Sequence, residues 1–153
     1  MTLQRAACPL LIPWELTRAC QLACRYCRAE AVPRRHPREL ATNEGFQLPD
    51  ALHGFGYLLP PLVLPGGNPL ARPDLFKLIA GARERGFAVS ITSSGTSALT
   101  PDVLRRLREA GITTLALSLD GSTAERHDSL RGGSFVWTLT AARTAREPDF
   151  PVR

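Results

Sequence analysis

Apolar runs of strand length alternate with stretches of helical spacing along this chain, and the alternation repeats, which restricts the fold more than any other feature. Such repetition is the mark of successive βα units feeding a parallel sheet. Residues 10–17, Leu-Leu-Ile-Pro-Trp-Glu-Leu-Thr, read as a first strand, with Pro13 suited to an edge or a strand start. A loosely helical, proline-broken stretch follows to about Leu52, and residues 59–64 form a second strand ending in the turn Gly66-Gly67. Asp74 to Arg85 is expected as a helix, with Leu75, Leu78, Ile79 and Ala82 at helical spacing and Gly86 as its stop. Residues 87–92 are the third strand. Thr100 is a good N-cap with Pro101 at the first helical position, and Val103, Leu104 and Leu107 supply a buried stripe up to Gly111. The fourth strand, residues 112–119, is apolar enough to be covered on both faces. A last helix is expected over residues 135–146.

The expected fold class is therefore α/β, a partial TIM-like parallel barrel of about four βα units in one domain spanning residues 1–153. Barrels of this kind carry their chemistry at the carboxyl ends of the strands. The cysteine segment, Gly66-Gly67, Ser94-Gly95 and Asp120-Gly121 would all meet on that rim.

Bulk properties exclude several functions. No apolar stretch approaches the roughly 20 residues that cross a bilayer, and residues 1–12 lack the regions of a signal peptide, so a cytoplasmic location with no membrane partner is expected. The net charge of +5 would suit nucleic acid. The basic residues are nearly all arginine, however, with Lys77 the only lysine, which looks like compositional bias as much as selection for a surface. The one dense basic run, Arg34, Arg35, His36 and Arg38, reads as a solvated loop.

Three of the four cysteines fall within eight residues, Cys20-Gln-Leu-Ala-Cys24-Arg-Tyr-Cys27. Thiolates are soft ligands suited to zinc or to iron-sulfur clusters. Three and then two intervening residues let one loop wrap three corners of a cubane, leaving the fourth iron open to a small molecule. The alternative is a structural zinc closed by a fourth ligand such as Cys8 or a histidine. Zinc cysteines usually come as two close pairs and no second pair is present, which makes Cys8 a buried free thiol rather than a ligand.

Cysteine, three residues, cysteine, two residues including an aromatic, and cysteine is similar to the signature of the radical S-adenosylmethionine (SAM) superfamily. Trp14-Glu15-Leu16-Thr17 ahead of it resembles the first strand of the subgroup that matures haem and peptide-derived cofactors, often with a SPASM-type cysteine-rich extension. The resemblance covers essentially the whole chain. It implies an oxidoreductase in which a [4Fe-4S] cluster on Cys20, Cys24 and Cys27 chelates SAM and cleaves it reductively to a 5′-deoxyadenosyl radical. It further implies a small-molecule, tetrapyrrole or peptide substrate and a reductant such as flavodoxin or ferredoxin.

Residue by residue, the resemblance places Tyr26 near the adenine, although an ordinary packed aromatic is an equal reading. Gly66-Gly67-Asn68-Pro69 aligns with a family Gly-Gly-Glu-Pro turn that approaches the methionine amino group. Asn68 keeps a carbonyl acceptor but not the charge, and Pro65 replaces a usual threonine. Ser94 resembles a polar SAM contact, and Ser118 with Asp120 resembles the strand end near the ribose or substrate, while Ser94-Gly95 and Asp120-Gly121 also read as turns. Arg131, in His127-Asp-Ser-Leu-Arg-Gly132, matches a position that reaches the SAM carboxylate, or else is solvated.

Phe150-Pro-Val-Arg153 reads as the start of a fifth strand, whereas the family core has six βα units. The expectation is an incomplete domain with an unpaired apolar edge on its fourth strand, which a complementary chain could cover. A truncated or degenerate fragment without catalysis, or a structural metal-binding module, stands as the alternative.

Overall fold

The computed structural model describes residues 9–56 and 58–146, so Cys8 and the expected fifth-strand start at residues 150–153 lie outside the described residues. The elements follow the order β1 (Ile12–Pro13), α1 (Thr42–Leu52), β2 (Leu62–Leu64), α2 (Leu75–Glu84), β3 (Val89–Ser93), α3 (Pro101–Glu109), β4 (Ile112–Leu117), α4 (Ala124–Arg131) and α5 (Phe135–Arg146). The four strands form one open parallel sheet in the order β1-β2-β3-β4. Parallel neighbours require crossovers, and the helices between strands supply them.

Alternation along β3 shows how the sheet divides its faces. Val89, Ile91 and Ser93 are buried, while Ser90 and Thr92 are only half-buried and face the other way. Leu62 and Leu64 of β2 continue the buried face and meet Leu78, Ile79, Phe87, Leu104, Leu107 and Leu115 in one core. Each such fully buried side chain contributes on the order of 1.5–3 kcal/mol of transfer free energy. On β3 the opposite face carries the hydroxyls of Ser90 and Thr92.

Capping follows the sequence closely at α3. The Thr100 hydroxyl accepts the Val103 N–H at 3.3 Å and Pro101 begins the helix. Asp74 precedes α2, but its carboxylate is turned to Arg72 and to the Thr42 hydroxyl at 2.7 Å rather than to the helix end. Arg72 is 3% exposed, and its guanidinium also donates to the carbonyls of Leu16 and Leu40, both at 2.8 Å. One buried cation thus ties the segment after β1, the approach to α1 and the start of α2 together.

Two expectations need correction. The first strand is two residues long rather than residues 10–17, because after Pro13 the backbone leaves the regular ladder to make the cysteine loop; Pro13 does sit on an edge strand. The fourth strand is not covered on both faces: Ile112 and Leu115 are buried, while Thr113 is exposed and Thr114, Ala116 and Leu117 are only half-buried. The helix α4 has no counterpart among the elements read from the sequence. Its sequence, Ala-Glu-Arg-His-Asp-Ser-Leu-Arg, buries only His127 and so shows no apolar stripe. Its ends carry the readable signals: the Thr123 hydroxyl accepts the Arg126 N–H, and Gly132 closes the helix in the left-handed conformation.

Candidate functional site

The rim at the carboxyl ends of the strands is built first from main chain. Beyond β1 the chain keeps pairing with the β2 strand and its turn: Trp14 N–H donates to Val63 O at 2.8 Å, Gly67 N–H to Thr17 O at 2.8 Å, and Asn68 N–H to Ala19 O at 2.7 Å. Such pairing demands glycine. A Cβ on Gly66 would stand 2.5 Å from Thr17 O, and one on Gly67 would stand 2.6 Å from both Arg18 O and Ala19 O, closer than real Cβ contacts come. The Gly66-Gly67 turn therefore presses against the segment that delivers Cys20. On its other side that segment is held by Cys20 N–H donating to Val32 O and Val32 N–H to Arg18 O, both at 2.9 Å.

From Cys20 the loop runs to a second anchor on α4. Arg25 N–H donates to Leu130 O at 2.9 Å, and the Cys24 thiol donates to Arg131 O across 4.0 Å. Backbone N–H groups already point at two of the sulfurs, Leu22 N–H at Cys20 Sγ (3.4 Å) and Ala31 N–H at Cys27 Sγ (3.3 Å). Burial pushes the Cys24 thiol above its usual range, the nearby Cys20 and Cys27 sulfurs add to this, and the Arg131 cation opposes it.

The three thiols line a single cavity of about 270 Å³ together with Leu22, Tyr26, Arg28, Gly66, Gly67, Thr92, Ser94, Ser118 and Arg131. Most of the residues expected at the site from sequence thus come together, and Thr92, on the polar face of β3, joins them. Two expected residues do not reach the wall. Asn68 is fully buried, its Oδ1 accepting the Leu70 N–H at 3.2 Å and its Nδ2 donating to Gln21 Oε1 at 3.0 Å and Thr96 Oγ1 at 3.2 Å. Every polar atom of its amide is committed inside the protein, so the side chain braces the turn and does not face the cavity.

Asp120 is the second residue outside the lining, on an exposed turn. Its carboxylate accepts from the Arg131 Nε and from the Tyr26 hydroxyl. Burial would raise the Asp120 pKa, but those two hydrogen bonds win and hold it below the usual carboxylate range. The same hydrogen bond to Asp120 raises the Tyr26 phenol. Burial lowers the tendency of Arg131 to hold its proton, and the Asp120 bond overcomes that and raises it. The Arg131 guanidinium lies 5.8 Å from the Tyr26 ring centroid, so a permanent cation near an aromatic lines the same cavity as the three sulfurs.

The donor set is three free thiols, Cys20, Cys24 and Cys27, that line one cavity. Tetrahedral zinc needs its ligands converging within about 2.3 Å of one point. Among the described residues no three His, Cys, Asp or Glu side chains converge on a single ion in that way. A cluster takes each thiolate on a different iron, which three sulfurs spread around one cavity fit. Three free thiols on one cavity wall are soft donors of the kind that an iron-sulfur cluster would take.

Sequence reasoning missed His127, Arg72 and Glu39. His127 had only its place beside Arg131 to mark it. Glu39, within the basic run, accepts the Thr17 hydroxyl and the N–H groups of Arg18 and His36, and also pairs with Arg35. Desolvation opposes its ionisation, and these donors outweigh that and lower its pKa. The run is therefore folded onto a buried carboxylate rather than being wholly a solvated loop.

Known proteins agree with the architecture. The Radical SAM superfamily signature matches residues 14–152. The AdoMet-dependent heme synthase of Methanosarcina barkeri is 40% identical over 145 residues, covering 94% of this chain and 41% of that protein. Mycofactocin maturase MftC of Mycobacterium tuberculosis is 34% identical over 143 residues, covering 93% and 36% respectively. Among solved structures, Streptococcus suis SuiB bound to S-adenosylmethionine superposes with a TM-score of 0.80 at 19% identity, over 96% of this chain and 33% of that one, and shows a shared fold. The chain spans about two-fifths or less of the length of these relatives. With its cysteine spacing, its parallel sheet and a signature match over most of its length, this chain belongs to the radical SAM superfamily.

Proposed function

We propose that the chain binds a [4Fe-4S] cluster through Cys20, Cys24 and Cys27 and binds SAM beside it, as part of an enzyme that modifies a cofactor, a peptide or a tetrapyrrole. The observation that carries this reading is the gathering of three free thiols, the Gly66-Gly67 backbone, Ser94, Ser118, Tyr26 and Arg131 around one cavity. When bound, the cluster supplies the electron for reductive cleavage of SAM.

Each residue of this chain has a definable part in holding those groups. The three sulfurs are the only protein ligands proposed, so one iron is left for SAM. The glycine turn offers close-packed backbone where the methionine end would lie. Arg131, always protonated and already aligned by Asp120, suits the SAM carboxylate through its planar fork. Ser94, whose hydroxyl donates to Gly67 O across 3.4 Å, and Ser118 offer hydroxyls on the same wall. Tyr26, half-exposed beside the last cysteine, offers a face for a purine ring. Asn68 serves this site by bracing the turn, and Asp120 by aiming Arg131.

The substrate class rests on the relatives: heme synthase and mycofactocin maturase carry those activities in their names, and SuiB has been solved bound to a precursor peptide. Residues 1–153 are proposed as one incomplete domain whose β4 edge, outermost among the described residues, takes further strands, and turnover as needing a reductant such as flavodoxin or ferredoxin. A location in the cytoplasm fits these partners, and no helix among the described residues is long and apolar enough to cross a membrane.

Anaerobic reconstitution tests the reading. Iron and acid-labile sulfide near four of each per chain, with an electron paramagnetic resonance signal on reduction that changes when SAM is added, is the expected result. A colourless product holding zinc and no sulfide overturns it. Formation of 5′-deoxyadenosine under a strong reductant then separates a chain competent alone from one that holds the cluster without turnover.

A further inference from the structure

The buried residue that the proposed site leaves unexplained is His127. It is wholly buried, and both ring nitrogens are engaged: Asp120 N–H donates to Nδ1 at 3.2 Å, and Nε2 lies 2.8 Å from Ser134 Oγ. Because Nδ1 accepts, the ring proton of the neutral form sits on Nε2 and is donated to Ser134. The next residue, Asp128, accepts the Phe135 N–H at 2.9 Å and so anchors the start of α5. The ring is therefore a bolt between three pieces of chain: the turn after β4, α4 itself, and the start of α5.

The turn it holds carries the carboxylate that aims Arg131. Asp120 sits at that turn with its N–H on the histidine and its carboxylate on Arg131 and Tyr26. Room to drift is small, since a Cβ on Gly121 would stand 2.7 Å from His127 N. Resting on the proposed SAM site, we infer that His127 is a positioning residue for SAM recognition: through Nδ1 it fixes the backbone of Asp120, and through Asp120 it fixes the direction of the Arg131 guanidinium. It touches neither the cavity nor the sulfurs.

Two substitutions separate the two nitrogens. In His127→Asn the amide oxygen can replace Nδ1 as the acceptor for Asp120 N–H, while the reach to Ser134 is lost. In His127→Gln the longer side chain can replace Nε2 towards Ser134, while Asp120 N–H is left without its partner. SAM affinity of the reconstituted protein, measured by equilibrium binding at equal cluster content, is expected to weaken roughly tenfold in the Gln variant and less than threefold in the Asn variant. Equal weakening in both, or wild-type affinity in the Gln variant, overturns the inference and leaves His127 a core residue. Should the Gln variant not fold, Ser134→Ala takes its place, because it frees the ring with a smaller change of volume. A weakening of SAM binding by about threefold supports the inference, and a lowered Tm with unaltered affinity overturns it.

A second readout needs neither cluster nor SAM. Amide hydrogen exchange of Asp120 in the apoprotein is expected to be slow in wild type and in His127→Asn and fast in His127→Gln. Fast exchange in wild type overturns the inference. If wild type fails to bind SAM with a loaded cluster while these exchange rates follow the expected order, the proposed function is at fault and the link from His127 to Asp120 stands.

Discussion

The two ends of the cysteine loop are held by different physics. At the Cys20 end, main chain meets main chain: the Gly66-Gly67 turn is pressed against Thr17–Ala19, and Val32 closes the other side, with Cys20 buried. At the Cys24 and Cys27 end the loop leans on the last turn of α4 through one amide hydrogen bond and one thiol contact, and both sulfurs are half-buried. The first end is a continuation of the sheet and is as rigid as the sheet. The second depends on a short polar helix whose own placement depends on His127 and Asp128. A loop built this way is expected to hold Cys20 more firmly than Cys24, while Cys27 Sγ keeps its own backbone contact from Ala31 N–H at 3.3 Å.

The largest expected effects come from attacking the two ends in turn. Gly67→Ala puts a methyl within 2.6 Å of two carbonyl oxygens of the first anchor, and backbone cannot yield as a flexible side chain can. We expect a loss of about 3 kcal/mol or more in urea unfolding, together with loss of cluster loading. Cys24→Ala is expected to abolish cluster loading as completely while changing apoprotein stability by less than about 1 kcal/mol, because that sulfur's single contact is long. If the two variants lose stability equally, the contrast between a firmly and a loosely held end is wrong.

Asn68→Ala tests the bracing of the first end. It leaves the Leu70 N–H without its acceptor and removes the links to Gln21 and Thr96, all within a region closed to water. A cost of about 2 kcal/mol is expected by chemical denaturation. An unchanged midpoint would mean that the glycine pairing alone holds the turn.

How much of this could be read from sequence depends on whether a residue acts through a pattern or through a single partner. Leu75, Leu78, Ile79 and Ala82 repeat at helical spacing and α2 is where they place it; Thr100 and Pro101 likewise start α3. The three thiols and Gly66-Gly67 were legible because their spacing is itself the signal. Nothing periodic marks Arg72, whose buried guanidinium reaches carbonyls 32 and 56 residues away, and nothing in the Asn68 position says that its amide turns inward. The polar sequence of α4 concealed a helix because its one buried residue is a histidine. Side chains that work through long-range single bonds are invisible until the chain is folded.

Asp74→Asn probes the support behind the first anchor through pH. Arg72 holds the Leu16 carbonyl just ahead of Thr17, and Asp74 is the counter-ion of that buried guanidinium. Burial opposes ionisation of Asp74, yet the Arg72 and Thr42 hydrogen bonds prevail and lower its pKa from 3.8 to about 2. A carboxylate depressed on folding adds stability that is fully present above its unfolded pKa and is lost as pH falls through the folded one. Wild type should therefore exceed Asp74→Asn by up to about 2 kcal/mol at pH 7, with the gap narrowing below about pH 4 and closing near pH 2. A gap independent of pH in urea titrations at pH 7, 4 and 2.5 would mean that the carboxylate acts by shape and not by charge.

The smallest effect is expected at the second end. Gly132 closes α4 at φ 70°, and its N–H donates to Asp128 O at 2.8 Å. A Cβ there meets nothing closer than the Ala23 backbone N at 3.7 Å, so Gly132→Ala is opposed by conformation and not by collision. The cost of forcing alanine into the left-handed region is about 1 kcal/mol. The strain falls on the turn that supplies the Leu130 and Arg131 carbonyls to the cysteine loop, so it should be felt at Arg25 and Cys24 and not at Cys20. Amide exchange of Arg25 N–H should therefore quicken severalfold while that of Cys20 N–H, held by Val32, stays as in wild type. Equal quickening at both amides would show that the loop moves as one body, and the distinction between its ends would fall with it.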